Sequence, residues 1–253
     1  MNLKIVSFNI LCGSKPDGNS IPERAPRLKA AIGQYSPDII GLQECRPEWY
    51  PILCDIYGEE YEMFNRYRAE NELESSPMFW KKSRFECLKT GYFWLSDTPE
   101  EESKGWDEIY DCYRMCVWAI LKEKASEKTF LFMNTHFGFG DKGQVQSVEL
   151  IKKYKESIGD MPGFIVGDFN ASPLSPAYEK LKEIFCDVNA ATAKDMQGTW
   201  HNFGKNDPQD INNHIDYCFI DSKCKPISYK TITDTFDGKF PSDHYGLIAE
   251  IEL

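Results

Sequence analysis

The chain has no apolar run approaching the ~20 residues needed to span a bilayer, so no membrane segment is predicted. It has no CxxC pair. Nine cysteines, an odd number, are scattered at 12, 45, 54, 87, 112, 116, 186, 218 and 224, which fits free thiols in a reducing compartment better than a disulfide framework. Only four histidines occur (136, 201, 214 and 244), none spaced with cysteines as zinc-finger ligands are. Positive charge is in deficit: 29 Lys and Arg against 40 Asp and Glu leave a formal charge of −11. Tight passive binding along a polyanion is disfavoured, because that affinity comes mostly from basic side chains displacing counterions. Phosphate chemistry stays open, since a bound divalent metal can supply the local positive charge. No repeat, low-complexity tract or linker occurs, and Met1 leads straight into a strand-like run with no leader-like segment, so a cytoplasmic protein is expected.

What is present is an ordinary globular composition: 253 residues, 42% hydrophobic and 14% aromatic, enough for a substantial core. Short apolar runs at 3–10, 38–43, 164–166 and 215–220 read as buried strands. Aromatic-rich strands are predicted at 78–81 and 85–95, a hairpin from 114–121 and 129–137, and a closing strand at 247–253. Helical spacing appears at 23–35 and 144–158, and Ser175-Pro176 caps a third helix running to about 185. Mixed hairpins and separate helices in one continuous chain predict an α+β sandwich, a single domain over residues 1–253.

Polar residues collect at the predicted strand ends. Asn9 ends the first strand, Glu44 follows the second, and His136 ends the hairpin. Asp168 and Asn170 lie two apart, hence on one face of an extended chain; Asp216, Asp243 and His244 follow. A single carboxylate at a strand end is most often a turn former, and a lone histidine most often a satisfied hydrogen-bonding group. Six such places together are different. Two carboxylates and an amide suit a hard divalent cation, a further Asp can orient or deprotonate water, and a His–Asp pair supplies an oriented imidazole. These are the parts of metal-assisted displacement at phosphorus.

At these residues the sequence resembles the endonuclease/exonuclease/phosphatase superfamily of metal-dependent phosphoesterases. Ser7-Phe8-Asn9-Ile10, Leu42-Gln43-Glu44, Asn134-Thr135-His136, Gly167-Asp168-Phe169-Asn170, Ile215-Asp216-Tyr217 and Ser242-Asp243-His244 occur in the family's order. The stretches Phe93-Trp94-Leu95-Ser96-Asp97-Thr98-Pro99, Gly105-Trp106-Asp107 and Gly198-Thr199-Trp200-His201 extend the resemblance to a bacterial branch. It implies a four-layer α/β/β/α, DNase I-like sandwich of two packed, mostly antiparallel sheets. It implies Mg²⁺ or Mn²⁺ held by Glu44 with Asn9 and Asp243, and Asp168 preparing water. Asn170 would bond phosphoryl oxygens, while His244 (held by Asp216) and His136 would face the phosphate. Arg114 sits where a phosphate-contacting base is often found, or is a surface charge at a strand start. His201 lines the pocket or packs beneath the loop at 202–213. Trp106 and Trp200 form a substrate platform or cover core. Two departures bear on substrate: Leu11 and Cys12 follow the first Asn motif where DNA-repair members carry an acidic or amide residue and then Gly, and Gly138 stands where many relatives have Asp, with Asp141 the nearest replacement.

The expected activity is hydrolysis of a short or small phosphodiester. The alternative is a phosphomonoesterase on a sugar or inositol phosphate, and a third reading is a non-catalytic binding module. Short nucleic acid fits as a substrate, but no basic stripe interleaved with aromatics supports tight duplex binding. A monomer with no membrane association is expected.

Overall fold

The apolar run opening the chain forms β1 (Asn2–Asn9), buried from Ile5 onward. Leu3 and Ile5 face one side while Val6 and Phe8 face the other, as a strand's twofold alternation requires when both faces are covered. The chain returns through α1 (Ile21–Gly33) to β2 (Ile39–Gln43), which lies parallel to β1. Next come α2 (Tyr50–Tyr57), β3 (Tyr61–Phe64), β4 (Met78–Lys81) and β5 (Phe85–Trp94). The expected hairpin is β6 (Met115–Glu123) with β7 (Thr129–His136), paired antiparallel from Cys116↔Thr135 to Lys122↔Thr129. A second crossover through α3 (Asp141–Ile158) places β8 (Gly163–Asp168) parallel to β7. Then follow α4 (Pro176–Lys182), β9 (Cys186–Asp187), α5 (Val188–Ala191), β10 (Asp216–Ile220), β11 (Lys225–Ile232) and β12 (Gly246–Glu252). This computed structural model describes residues 1–194 and 196–253.

The strands form two six-stranded sheets, ordered β11-β12-β1-β2-β4-β3 and β5-β6-β7-β8-β10-β9. Among the described residues only the β1–β2 and β7–β8 pairs are parallel. Ile5, Trp80, Phe130, Val166 and Leu247 belong to the core between the sheets. Leu28 and Ile32 of α1 and Leu53 of α2 cover the outer face of the first sheet, and Val148 and Ile151 of α3 with Leu181 of α4 cover that of the second. The four layers are those implied by the resemblance. Ser175 caps α4 as expected, its hydroxyl oxygen accepting the Tyr178 N–H at 3.2 Å.

This topology gathers the site. Parallel neighbours end at the same edge, so Asn9 and Glu44 emerge together, as do His136 and Asp168. Antiparallel partners begin where those strands end: Asp216 pairs with Asp168, and Leu247 with Ser7, which brings His244 alongside. Gly41 permits the sheets to approach near this edge, since a Cβ there would stand 2.6 Å from Val166 Cγ2. Beside it the Asn134 amide bridges the sheets, donating to Leu42 O at 2.9 Å and accepting from Gln43 Nε2 at 2.8 Å. Asn134→Ala leaves these buried groups unpaired and is expected to lower stability by about 1–3 kcal/mol, read from the urea midpoint.

Strands β3, β9 and β11 and helices α2 and α5 lay outside the sequence expectations. The longest of these strands, β11, is an edge strand with Lys225, Ser228 and Lys230 exposed, and its register shifts between Pro226 and Ser228. Such a strand carries no apolar run to read.

Candidate active site

At the edge where the parallel pairs end, a cleft of about 740 Å³ is lined by Glu44, Arg114, His136, Asp168, Asn170, Asp243 and His244. Asn9 and Asp216 are buried behind it and bonded to its lining. The Asn9 amide nitrogen donates to Glu44 Oε1 at 3.0 Å and to Asp168 Oδ2 at 2.9 Å, while its oxygen accepts the Leu11 N–H at 3.0 Å. Asn9 was expected to hold a metal. In this arrangement its nitrogen faces the two carboxylates and its oxygen faces the Leu11 N–H. Glu44 Oε2 accepts the Cys12 N–H at 2.9 Å. Leu11, Glu44 and Asn170 all hold left-handed backbones, with φ of 57°, 62° and 47°. For Leu and Glu this conformation is strained, and strain of this kind persists only where surrounding bonds over-determine it.

The carboxylates are not equivalent. Burial opposes the charge on Glu44, but the Asn9 and Cys12 hydrogen bonds and the nearby His244 hold it below the ordinary glutamate range. Burial, reinforced by Asp216, pushes Asp168 up to about 7, although His244, the Asn170 N–H and Asn9 pull the other way. An acid near neutrality in a cleft is suited to exchanging a proton with water.

The two imidazoles also differ. Burial lowers the affinity of His244 for its proton, but Asp216 (Oδ2 to Nδ1, 2.9 Å) with Asp168 and Asp243 reverses this and raises its pKa to about 10. His244 is an imidazolium across the neutral range, its Nε2 standing 3.9 Å from Asp168 Oδ2. His136 is held well below its ordinary value by burial and by the charges of Arg114 and Arg68. Arg68 donates to His136 Nδ1 at 3.0 Å, so the neutral ring carries its proton on Nε2, 3.5 Å from Asp168 Oδ2.

Asp168, Asp216 and His244 offer ligand atoms that all lie within 4.8 Å of one another. This trio differs from the expected Glu44, Asn9 and Asp243, of which Glu44 and Asp243 line the same cleft. While His244 is protonated its ring cannot ligate, so the donors here are the carboxylate oxygens of Asp168 and Asp216; Asp216 Oδ1 has no hydrogen-bond partner among the described residues, and such oxygens fit a hard divalent cation.

The expected substrate contacts divide. Arg114 lies on the cleft, its guanidinium 3.4 Å from Asp107 Oδ2, and Trp200 lines the cleft with 38% of its surface exposed. His201 does not reach the cleft. Its ring stacks on Tyr245 with centroids 4.0 Å apart, its Nδ1 accepts the Gly204 N–H, and burial lowers its pKa to about 4. Trp106 lies in a separate depression of about 370 Å³, its indole N–H donating to Asp97 at 3.1 Å. Asp141 is exposed at the start of α3 and is not in the cleft lining. Arg46, Arg68, Glu72, Glu74 and Tyr110 also line the cleft without having been anticipated, as do Phe139, Asn212 and Asn213. Arg68 and Glu74 form a buried pair at 2.6 Å on an irregular stretch that carries no period to read. Thr199, within the quoted Gly198-Thr199-Trp200-His201, accepts the Asp216 N–H at 3.1 Å and so anchors the partner of His244.

The same four-layer, DNase I-like fold occurs in solved structures. An endonuclease/exonuclease/phosphatase from Bacteroides vulgatus superposes with a TM-score of 0.90 at 29% identity, covering 100% of this chain and 99% of that one. A mannosyl-6-phosphatase from Bacteroides thetaiotaomicron superposes with a TM-score of 0.88 at 28% identity, covering 99% and 100%. The carbon catabolite repressor protein 4 homolog 3 of Arabidopsis thaliana is 26% identical over 220 residues, 77% of this chain and 45% of that protein, so the chain spans less than half of that relative. The Endonuclease/Exonuclease/phosphatase family model matches residues 6–244, every strand-end motif included. The chain therefore belongs to the endonuclease/exonuclease/phosphatase family, whose members are hydrolytic phosphoesterases.

Proposed function

We propose that this chain hydrolyses a small phosphate ester, and that a phosphomonoester of a hydroxylated, sugar-like group is the substrate class its cleft fits best. The observation that carries this is the lining of one cleft. Its floor holds Asp168, His136, His244 and Arg114, and its remaining lining combines the rings of Tyr110, Phe139 and Trp200 with Glu72, Asn212 and Asn213. Aromatic faces and amide or carboxylate groups together suit a ring with apolar faces and hydroxyl edges, and a volume of about 740 Å³ fits a small molecule. The resemblance to a mannosyl-6-phosphatase supports the same reading. A short phosphodiester is the second reading, favoured by the exposed face of Trp200, on which a base could stack.

Glu44 and Asp243 would hold a divalent cation, with Asp216 able to contribute its free oxygen; when bound, the cation offsets phosphate charge and polarises the ester. Asp168 orients water and takes its proton. Arg114, the Nε2–H of His136 and the His244 imidazolium stabilise charge developing on the phosphoryl oxygens. Asn170 spends one amide hydrogen on Phe137 O at 2.9 Å and offers the other to phosphate. A screen of p-nitrophenyl phosphate, bis-p-nitrophenyl phosphate, hexose phosphates and single-stranded oligonucleotides side by side tests the assignment. Preference for the monoesters is expected, and exclusive diester cleavage would replace it with the second reading. Chelation should abolish turnover and added Mg²⁺ or Mn²⁺ restore it. Full activity after exhaustive chelation would remove the cation from the scheme.

A further inference from the structure

Three glycines after His136 have a shared neighbour. A side-chain carbon on Gly138 would lie 2.9 Å from Asp107 Cβ, one on Gly140 would collide with the Glu108 side chain, and one on Gly143 with the Trp106 carbonyl oxygen. Gly140 also needs its φ of +100°, but Gly143 is an ordinary helical position in α3, where Ala is normally preferred. The glycines form a seat on which residues 106–108 rest. Glu108 N–H donates to Phe139 O at 2.8 Å, and the Gly143 N–H donates back to Glu108 Oε1 at 3.2 Å.

From this seat the chain runs into the cleft. Asp107, whose side chain has no solvent exposure, accepts the N–H groups of Ile109 and Tyr110 at 2.9 and 2.7 Å and faces Arg114 with its other oxygen. The Arg114 guanidinium lies 5.9 Å from the Phe139 ring centre, and Phe139 meets Tyr110 edge-on at 5.4 Å. Arg114, Phe139 and Tyr110 thus make a continuous wall from the cationic floor to the mouth. Tyr110 leaves 58% of its surface uncovered there, a large aromatic area for a ligand to bury.

Resting on the hydrolase reading, we infer that the wall of Arg114, Phe139 and Tyr110 selects the substrate, with the seated segment 106–112 presenting Tyr110 to the esterified group and Asp107 a positioning residue that fixes Arg114. Three variants test this: Tyr110→Ala, Asp107→Asn and Gly143→Ala, each checked for native circular dichroism. With Mg²⁺ present, Tyr110→Ala should raise KM for the preferred monoester about fivefold or more, while inhibition by inorganic phosphate, which lacks the esterified group, moves by less than about twofold. Asp107→Asn should weaken inorganic phosphate about tenfold as well, because Arg114 loses its anchor. Gly143→Ala should retain α3 yet reproduce the rise in KM and speed protease cleavage between 97 and 112. An active wild-type enzyme whose KM is unchanged in both Tyr110→Ala and Gly143→Ala overturns the selecting wall while leaving the hydrolase reading intact. A wild type inactive on every ester overturns the hydrolase reading and the role of Tyr110 with it. The role of Asp107 is then decided by calorimetric phosphate binding, and an unchanged affinity in Asp107→Asn overturns it.

Discussion

Asp168→Asn is expected to lower phosphoester turnover by about 10²–10⁴-fold while leaving the fold intact. Asn keeps the shape of the side chain but cannot accept a proton from water. The same substitution should change the pH dependence of stability in chelated protein. Burial and Asp216 raise the Asp168 pKa to about 7, so the folded state binds the proton more tightly than the unfolded chain. The resulting stability is fully present below the unfolded value of about 4 and is lost as pH rises through about 7. Asp168→Asn has no such proton to lose, so its stability relative to wild type should rise between pH 4 and pH 8. Urea midpoints measured at both values check this; parallel curves for the two proteins would show that Asp168 is not held in the protonated form.

The second large effect is expected from Asp216→Asn. In the wild type, Asp216 keeps His244 charged up to about 10. Removing one member of a buried pair leaves an uncompensated charge, at about 3–5 kcal/mol. The variant can escape this by releasing the His244 proton, so its activity should be at least about 10²-fold lower at pH 8 and survive, if at all, on the acid side of about 6.5. The wild-type pair stabilises fully below about 6.5 and loses its contribution as pH rises through about 10, so the stability gap between the two proteins should narrow toward alkaline pH. Denaturation at pH 6 and pH 9.5, with pH–rate profiles, provides the check. Near-normal turnover at pH 8 in Asp216→Asn would exclude a charged His244 from the mechanism.

Asn9, Glu44, His136, Asp168 and Asp216 were legible because each interrupts or ends a run of buried apolar residues, which a strand's alternation makes visible, and His244 because it stands just before the closing strand. Once the strands are recognised, parallel and antiparallel pairing carries their ends to one edge. Arg68, Glu74 and Tyr110 as parts of the cleft, and Asp107 as the partner of Arg114 beside it, were not legible. They lie on irregular segments whose course depends on glycines elsewhere in the chain and on buried ion pairs. His201 and Arg114 show the same division from the other side. Both had open alternatives as residues in a sequence, and packing against Tyr245 withdrew one while the approach of Asp107 and Phe139 placed the other on the cleft.

The sequence by itself therefore determined the family, most of the strand framework and many of the polar residues that the fold gathers at the cleft, because these follow from local periodicity and from motifs in fixed order. Only the tertiary structure decided that Asn9 turns its nitrogen to the carboxylates, that His244 is held charged and His136 neutral, and which loops wall the cleft. Those properties arise from distances and burial between residues far apart in the chain, which no local pattern records.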